Sequence, residues 1–334
     1  MGKTIKIFLA DSTPSGIMTA EIMNWTGHIL VAPRSRIADL IKREEVKRTG
    51  VYLLFGEDPD RPSGTLVYVG EGDSVVTRLT EHNARKEFWD SCCVITSKDQ
   101  NLTKAHVRYL ESRIIGIIGE EGRARIENKT EPEFGLLPEA DKSDMEEFLV
   151  QLQVLLPVLG IQFIQRTPRP SRTTEGVSAS ASSNTSASDV EQRERAIFGQ
   201  KRPTEDGAIS PIFSLDAKGV TAKAIEFDGQ MVVLAGSEAC EDELPSLQYS
   251  VKSLRDQLRQ NGKLIQSSRP GVLRFEEDVA FSSPSAAAQA VVGTSRNGRT
   301  DWRVVDTGET YAHWQETQVR KAEEDMFASG RPLL

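Results

Sequence analysis

The sequence has little cysteine, no long apolar run and no excess of positive charge, and each shortage excludes something. Three cysteines, two of them the adjacent pair Cys92 and Cys93, cannot build a disulfide framework. No Cys-x-x-Cys or His-Cys spacing suggests zinc, so the three read as buried apolar positions. No run of about eighteen or more apolar residues offers a membrane span. The opening "MGKTIKIFLADS" holds too short an apolar segment for a secretory signal, so the expectation is a cytoplasmic protein with no membrane attachment. The formal net charge is -8, from 41 Lys and Arg against 49 Asp and Glu, which denies nucleic acid a general basic field. Any contact with DNA has to be local or metal-assisted.

What is present is ordinary in composition, 38% hydrophobic and 27% charged, but 334 residues exceed one core of usual size. Near Pro168 the composition changes abruptly. The stretch "PRPSRTTEGVSASASSNTSASDVEQRER" is rich in Ser, Thr and Ala and nearly free of large apolar residues, so it cannot offset its ordering entropy by burial. This predicts a flexible, disordered linker over 167–203, between a first domain at 46–166 and a second at 204–334. Residues 1–45 are expected to be an N-terminal extension packed on the first domain.

Within the first domain, periodicity predicts mixed α and β structure. "TIKIFLA" and "HILVAP" read as strands, and "SRIADLIKREEV" as an amphipathic helix starting at Ser35. From Val51 the order is strand, strand ("TLVYVG"), helix ("SVVTRLTEH"), strand ("FWDSCCVIT") and long helix ("TKAHVRYLESRIIGIIG"). Ser143 and Glu146 form a capping-box pattern that predicts a further helix starting there. In the second domain, Asp228-Gly229 between alternating apolar runs predicts a two-residue hairpin turn. Helices are expected up to Gly262 and between Ser283 and Gly293, then a strand at Trp302.

Arg78 and His82 stand four residues apart and share one helix face. On the later helix, Val107, Leu110, Ile114, Ile115 and Ile118 make one apolar arc, and Glu111 falls inside it. A carboxylate facing a core is costly unless it is paired or binds a metal. Two readings follow: a buried ion pair, with Arg78 as a candidate partner, or a metal-binding carboxylate at the edge of a cleft, which suits a hard divalent cation.

Taken together, Gly50-Val51-Tyr52, Tyr68-Val69-Gly70, Arg78, His82, Glu111 and Asn128 resemble the GIY-YIG nuclease superfamily, over about residues 49–135. Six positions match in the right order, with Val replacing Ile in both triplets. The resemblance implies an α+β fold with a small antiparallel three-stranded sheet flanked by helices, and cleavage of DNA phosphodiesters with one divalent cation. Glu111 would hold Mg²⁺ or Mn²⁺, and Arg78 would bind non-bridging phosphate oxygens, which its planar fork suits. Tyr68, its phenol depressed by nearby cations, is the family's usual base for in-line water attack; His82 is the alternative base or a proton relay. Tyr52 would orient the water or the phosphate, and Asn128 would hold the cleft together or touch the substrate.

"SPSAAAQAVVGTSRNGRTDW" resembles a small C-terminal domain of unassigned function often attached to such nucleases. It is either structural, through close helix packing at its alanines, or a reader of DNA or modified bases that presents Arg296, Asn297 and Arg299. The sequence therefore predicts a metal-dependent endonuclease whose appended domain chooses the substrate. The alternative is a catalytically idle nuclease-like domain serving as a DNA-binding or protein-interaction module. The acidic net charge argues for weak intrinsic affinity and recruitment by a protein partner.

Overall fold

Apolar residues run almost unbroken through the central stretches 51–55 and 92–95, as expected for strands buried on both faces. A computed structural model describes residues 2–61, 64–99, 101–129, 137–165 and 210–328; the linker expected over 167–203 lies outside the described residues. The described residues form two halves of mixed α+β structure. None of their helices is long and apolar enough to cross a membrane.

The strands of the first half are β1 (Ile5–Leu9), β2 (Met18–Ile22), β3 (Gly27–Pro33), β4 (Gly50–Glu57), β5 (Thr65–Gly72), β6 (Ser91–Ser97) and β7 (Arg125–Ile126). They form one sheet of seven in the order β1-β2-β3-β6-β4-β5-β7. In place of the small three-stranded sheet expected, the sheet has seven strands, because β3 pairs antiparallel with β6 along its whole length while β4 lies antiparallel between β6 and β5. Residues 1–45 thus supply three strands of this sheet.

Strand alternation divides the sheet into two apolar faces. Val51, Leu53, Val67, Val69, Cys93 and Ile95 pack under α3 (Lys104–Glu121) and α4 (Glu139–Val158). Tyr52, Leu54, Cys92 and Val94 pack on the opposite side under α2 (Val75–Arg85). The three cysteines are free and buried, as expected.

Two helix expectations are corrected. The helix predicted from Ser35 is fragmented into a 3-10 turn at Arg34–Arg36, a single turn α1 (Ile37–Leu40) and another 3-10 turn at Glu44–Lys47, none with a side-chain N-cap bond. α4 starts at Glu139, so Ser143 lies inside it. Glu146 instead accepts from Tyr109 Oη at 2.5 Å and Arg113 Nε at 2.6 Å, a tertiary contact that outcompetes the local box. The working capping box is Thr103 with His106, at the start of α3.

The second half has strands β8 (Phe213–Ala217), β9 (Val220–Phe227), β10 (Gln230–Val233), β11 (Glu238–Cys240), β12 (Leu264–Gln266), β13 (Val272–Phe275), β14 (Val279–Phe281) and β15 (Arg303–Val304). They form an antiparallel sheet β14-β10-β9-β8-β15 and a smaller one β11-β13-β12. Asp228 and Gly229, with φ of 49° and 79°, turn the β9-β10 hairpin as expected. The helices are α5 (Tyr249–Gln260), α6 (Pro284–Val292), α7 (Gly298–Asp301) and α8 (Tyr311–Ala328). Trp302 lies one residue before β15, buried against the α6 start, where its Nε1 donates to Pro284 O at 3.0 Å.

The halves pack on each other. Val319 and Ala322 of α8 enter the same apolar layer as Ile37, Leu40 and Leu79. Gln315 Nε2 donates to the Arg34 carbonyl at 2.9 Å, and Ser35 Oγ to the Gly229 carbonyl at 2.9 Å.

Candidate active site

The β4-β5 register places Tyr52 opposite Gly70 and Tyr68 opposite Leu54, so the tyrosines are diagonal neighbours on the α2 face. The glycine of the second triplet has a steric reason: a Cβ on Gly70 would fall inside the van der Waals shell of Tyr52 Oη and Cζ. A Cβ on Gly50 would likewise overlap the Ile95 carbonyl. The two triplets are thus a packing solution that lays the Tyr52 ring across its partner strand.

That ring reaches α2, where Tyr52 Oη and His82 Nε2 share a hydrogen bond of 2.9 Å. Tyr68 meets His82 edge-on at 4.9 Å between ring centroids, and Lys86 Nζ lies 4.1 Å above the Tyr68 ring. Tyr68, His82, Lys86, Glu81 and Glu127 line an open cleft of about 590 Å³.

Burial pushes the Tyr52 hydroxyl far above its usual range, and the Tyr68 phenol adds to this. Burial raises Tyr68 too, with Glu111 and Glu127 adding to it, while the Tyr52 hydroxyl and Arg78 oppose. The expectation of a cation-depressed Tyr68 is therefore not met in the protein alone, because desolvation outweighs Arg78. His82 is pushed down to about 4 by burial and by Lys86, so its imidazole is neutral near pH 7.

Glu111 occupies the edge of α3, half-buried, and has no hydrogen-bond or ion-pair partner among the described residues. Of the two readings of Glu111, the ion pair with Arg78 does not form: Arg78 Nη1 lies 3.3 Å from Glu81 Oε2, and half of its side chain is exposed. Burial, then the neighbouring Glu71 charge, raise Glu111 to about 7, against the pull of Lys104, Arg108 and Arg78. Glu111 in turn raises both tyrosines, so Tyr52, Tyr68, Arg78 and Glu111 form one electrostatically coupled group.

Asn128 is placed differently. Its Oδ1 accepts from Val69 N at 3.0 Å and its Nδ2 donates to Val69 O at 2.7 Å, so the side chain imitates a strand partner beside β5. This geometry fits holding the cleft together.

Sequence reasoning missed Glu71, which lies 2.7 Å from Lys104 Nζ and 3.7 Å from Arg108 Nε. Strand alternation was the available signal, since it turns Glu71 with Val67 and Val69 toward α3. Among the described residues no group of three or more His, Cys, Asp or Glu is placed to hold a metal ion. A lone unpartnered carboxylate beside a second acid does fit a hard cation that keeps most of its shell as water and phosphate.

In the second half, Arg296 Nε binds Asp301 Oδ2 at 2.6 Å, and Asn297 Oδ1 caps α7 by accepting from Arg299 N at 3.1 Å. Arg299 is 4% exposed and turns inward to Gln315 Oε1, at 2.6 Å, and Glu87. Of the three residues named for the DNA reader, Arg299 is therefore buried, covered by the docked first half.

Residues 213–315 match the family model described as a domain of unknown function, DUF4357. No curated protein and no solved structure matches the chain.

Proposed function

We propose that the chain is a metal-dependent DNA endonuclease of the GIY-YIG type, with the second half selecting the substrate. The reading rests on one observation: Glu111, half-buried and without a hydrogen-bond or ion-pair partner among the described residues, lies within electrostatic reach of Arg78, Tyr52 and Tyr68. Glu111 would hold Mg²⁺ or Mn²⁺, and the bound ion supplies charge neutralisation at the scissile phosphate. Arg78 uses only Nη1 in its contact with Glu81, which leaves its other donors for phosphate oxygens. His82 is neutral near pH 7 and is the candidate proton acceptor, a base weakened by burial and by Lys86, with Tyr52 fixing its orientation. Tyr68 is held protonated by burial and would position the attacking water by hydrogen bonding.

A second reading, an idle nuclease-like module that binds DNA or a protein partner, draws on a different observation: neither phenol is depressed. The two separate in a nicking assay on supercoiled plasmid with Mg²⁺ or Mn²⁺. The endonuclease reading expects nicking that EDTA and Glu111→Ala both abolish. Nicking that survives either treatment, or its absence with both metals in wild type, leaves the idle module.

A further inference from the structure

The seven-stranded sheet has β1 at one end, and no strand among the described residues pairs with its outer side. Its register with β2 decides which backbone groups face outward. Met23 N donates to Thr4 O at 3.0 Å and Ala10 N to Ile17 O at 2.9 Å, so the hydrogen-bonded pairs with β2 fall at Thr4, Lys6, Phe8 and Ala10. Ile5, Ile7 and Leu9 therefore turn their backbone groups away from the sheet. The Leu9 carbonyl accepts from Ser12 N at 3.2 Å; the three N–H groups and the carbonyls of Ile5 and Ile7 have no backbone partner among the described residues.

An open edge of this kind pairs with another strand unless proline, a bulge, short length or charge blunts it. β1 is the longest edge strand among the described residues and pairs in unbroken register, without proline. Its one charge, Lys6, points to the face opposite Ile5, Ile7 and Leu9 and lies 4.0 Å from Glu21. Ile7 is 43% and Phe8 58% exposed, one on each face. The strand is also its own complement. In an antiparallel pair of two copies centred on Ile7, Ile7 meets Ile7, Ile5 meets Leu9 and Lys6 meets Phe8. Apolar side chains then line one face of the joint, and on the other each lysine stands against an aromatic ring rather than a like charge. The same register carries Lys3 of each copy alongside Asp11 of the other, opposite charges at both ends. Such a contact uses the same patch twice and closes at two copies.

We propose that β1 is a homodimer interface: two copies of the chain pair β1 against β1, antiparallel about Ile7, and join their sheets into one. At the centre the two Ile7 residues exchange N–H to C=O bonds, and at each end Leu9 N–H donates to the Ile5 carbonyl of the other copy. One short strand pair buries little surface, so the dimer is a reversible one. No residue of β1 lines the Tyr68 cleft, so the pairing is independent of the chemistry there.

Sedimentation equilibrium of the full chain between about 2 and about 200 µM tests this, with wild type expected to pass from monomer to dimer with a Kd on the order of 10 µM. Ile7→Lys and Ile7→Glu each bring like charges together at the centre of the pair, and each is expected to weaken association by about tenfold or more. Because Ile7 is 43% exposed, both variants are expected to melt within about 3 °C of wild type at about 2 µM. An equimolar mixture of the two variants sets opposite charges against each other at that centre. It is expected to associate about tenfold or more tightly than either variant alone, a rescue that neither misfolding nor a contact elsewhere on the surface produces. Wild type that stays monomeric at about 200 µM, dimers undiminished in both variants, or a mixture no tighter than its components overturns the proposal.

Discussion

Tyr52 and His82, thirty positions apart in the chain, are joined by a 2.9 Å hydrogen bond between a strand and the helix beside it. The bond couples the first triplet to the helix that carries Arg78. Tyr52→Phe keeps the ring and removes the bond. It is expected to cost about 1 kcal/mol in denaturant unfolding and to slow nicking partially. Tyr68 lines the cleft, and Tyr68→Phe is expected to abolish nicking while costing no more than about 1 kcal/mol of stability. Equal activity losses in the two variants would contradict this division of roles.

Gly70 has its own test, because its missing Cβ is where the Tyr52 phenol lies. Gly70→Ala is expected to destabilise by about 1 to 3 kcal/mol through overpacking. In a Tyr52→Leu background most of that cost should vanish, since the shorter side chain leaves the space open. A double-mutant cycle measures the difference; strict additivity would mean that the glycine serves some other purpose.

Glu111 makes stability depend on pH in a direction opposite to a salt-bridged acid. Its value is raised from 4.5 to about 7 in the folded protein. Between these values the folded state holds the extra proton, so the stability contribution is full below about pH 4.5 and is lost as pH rises through about 7. Glu111→Gln does not titrate there. In EDTA its unfolding free energy should gain on wild type by on the order of 1 to 2 kcal/mol between pH 4.5 and 8, after a discount for partial solvent access. Parallel pH curves for the two proteins would rule out the raised carboxyl.

Gln315 uses both ends of its amide, donating across the halves to the Arg34 carbonyl and accepting from Arg299 within its own half. Gln315→Leu has similar volume and satisfies neither. A loss of about 2 to 4 kcal/mol is expected, measured by denaturant unfolding of the full chain. A loss below about 0.5 kcal/mol would show that the two groups find water instead.

Much of the fold was legible because its signals are local. The Asp228-Gly229 turn, the Ser283 cap and the Gly293 stop of α6 each depend on residues within one turn of chain. α2 and α3 follow from apolar spacing. The α4 start was misplaced because Glu146 had a better partner in Arg113, thirty-three positions away. α8 escaped notice although Tyr311, Gln315, Val319 and Ala322 are buried along one face, since Gln315 is polar and breaks the apolar stripe. The candidate site was legible as a set of residue types; Glu71 was hidden because its meaning lies in the helix it faces.

The sequence by itself determined the chemistry available: two tyrosines on paired strands, Arg78 and His82 on one helix face, and a carboxylate among apolar neighbours on another helix. These are consequences of strand and helix periodicity, which act over a few residues. Only the tertiary structure decided what those groups experience. Three N-terminal strands joined the sheet, Arg78 turned to Glu81 and left Glu111 without a hydrogen-bond partner among the described residues, and desolvation moved Tyr68, His82 and Glu111 from their ordinary ionisation. Docking of the two halves buried Arg299 in the wall of a cavity. Burial and pairing depend on elements far apart in the chain, so they are settled by packing.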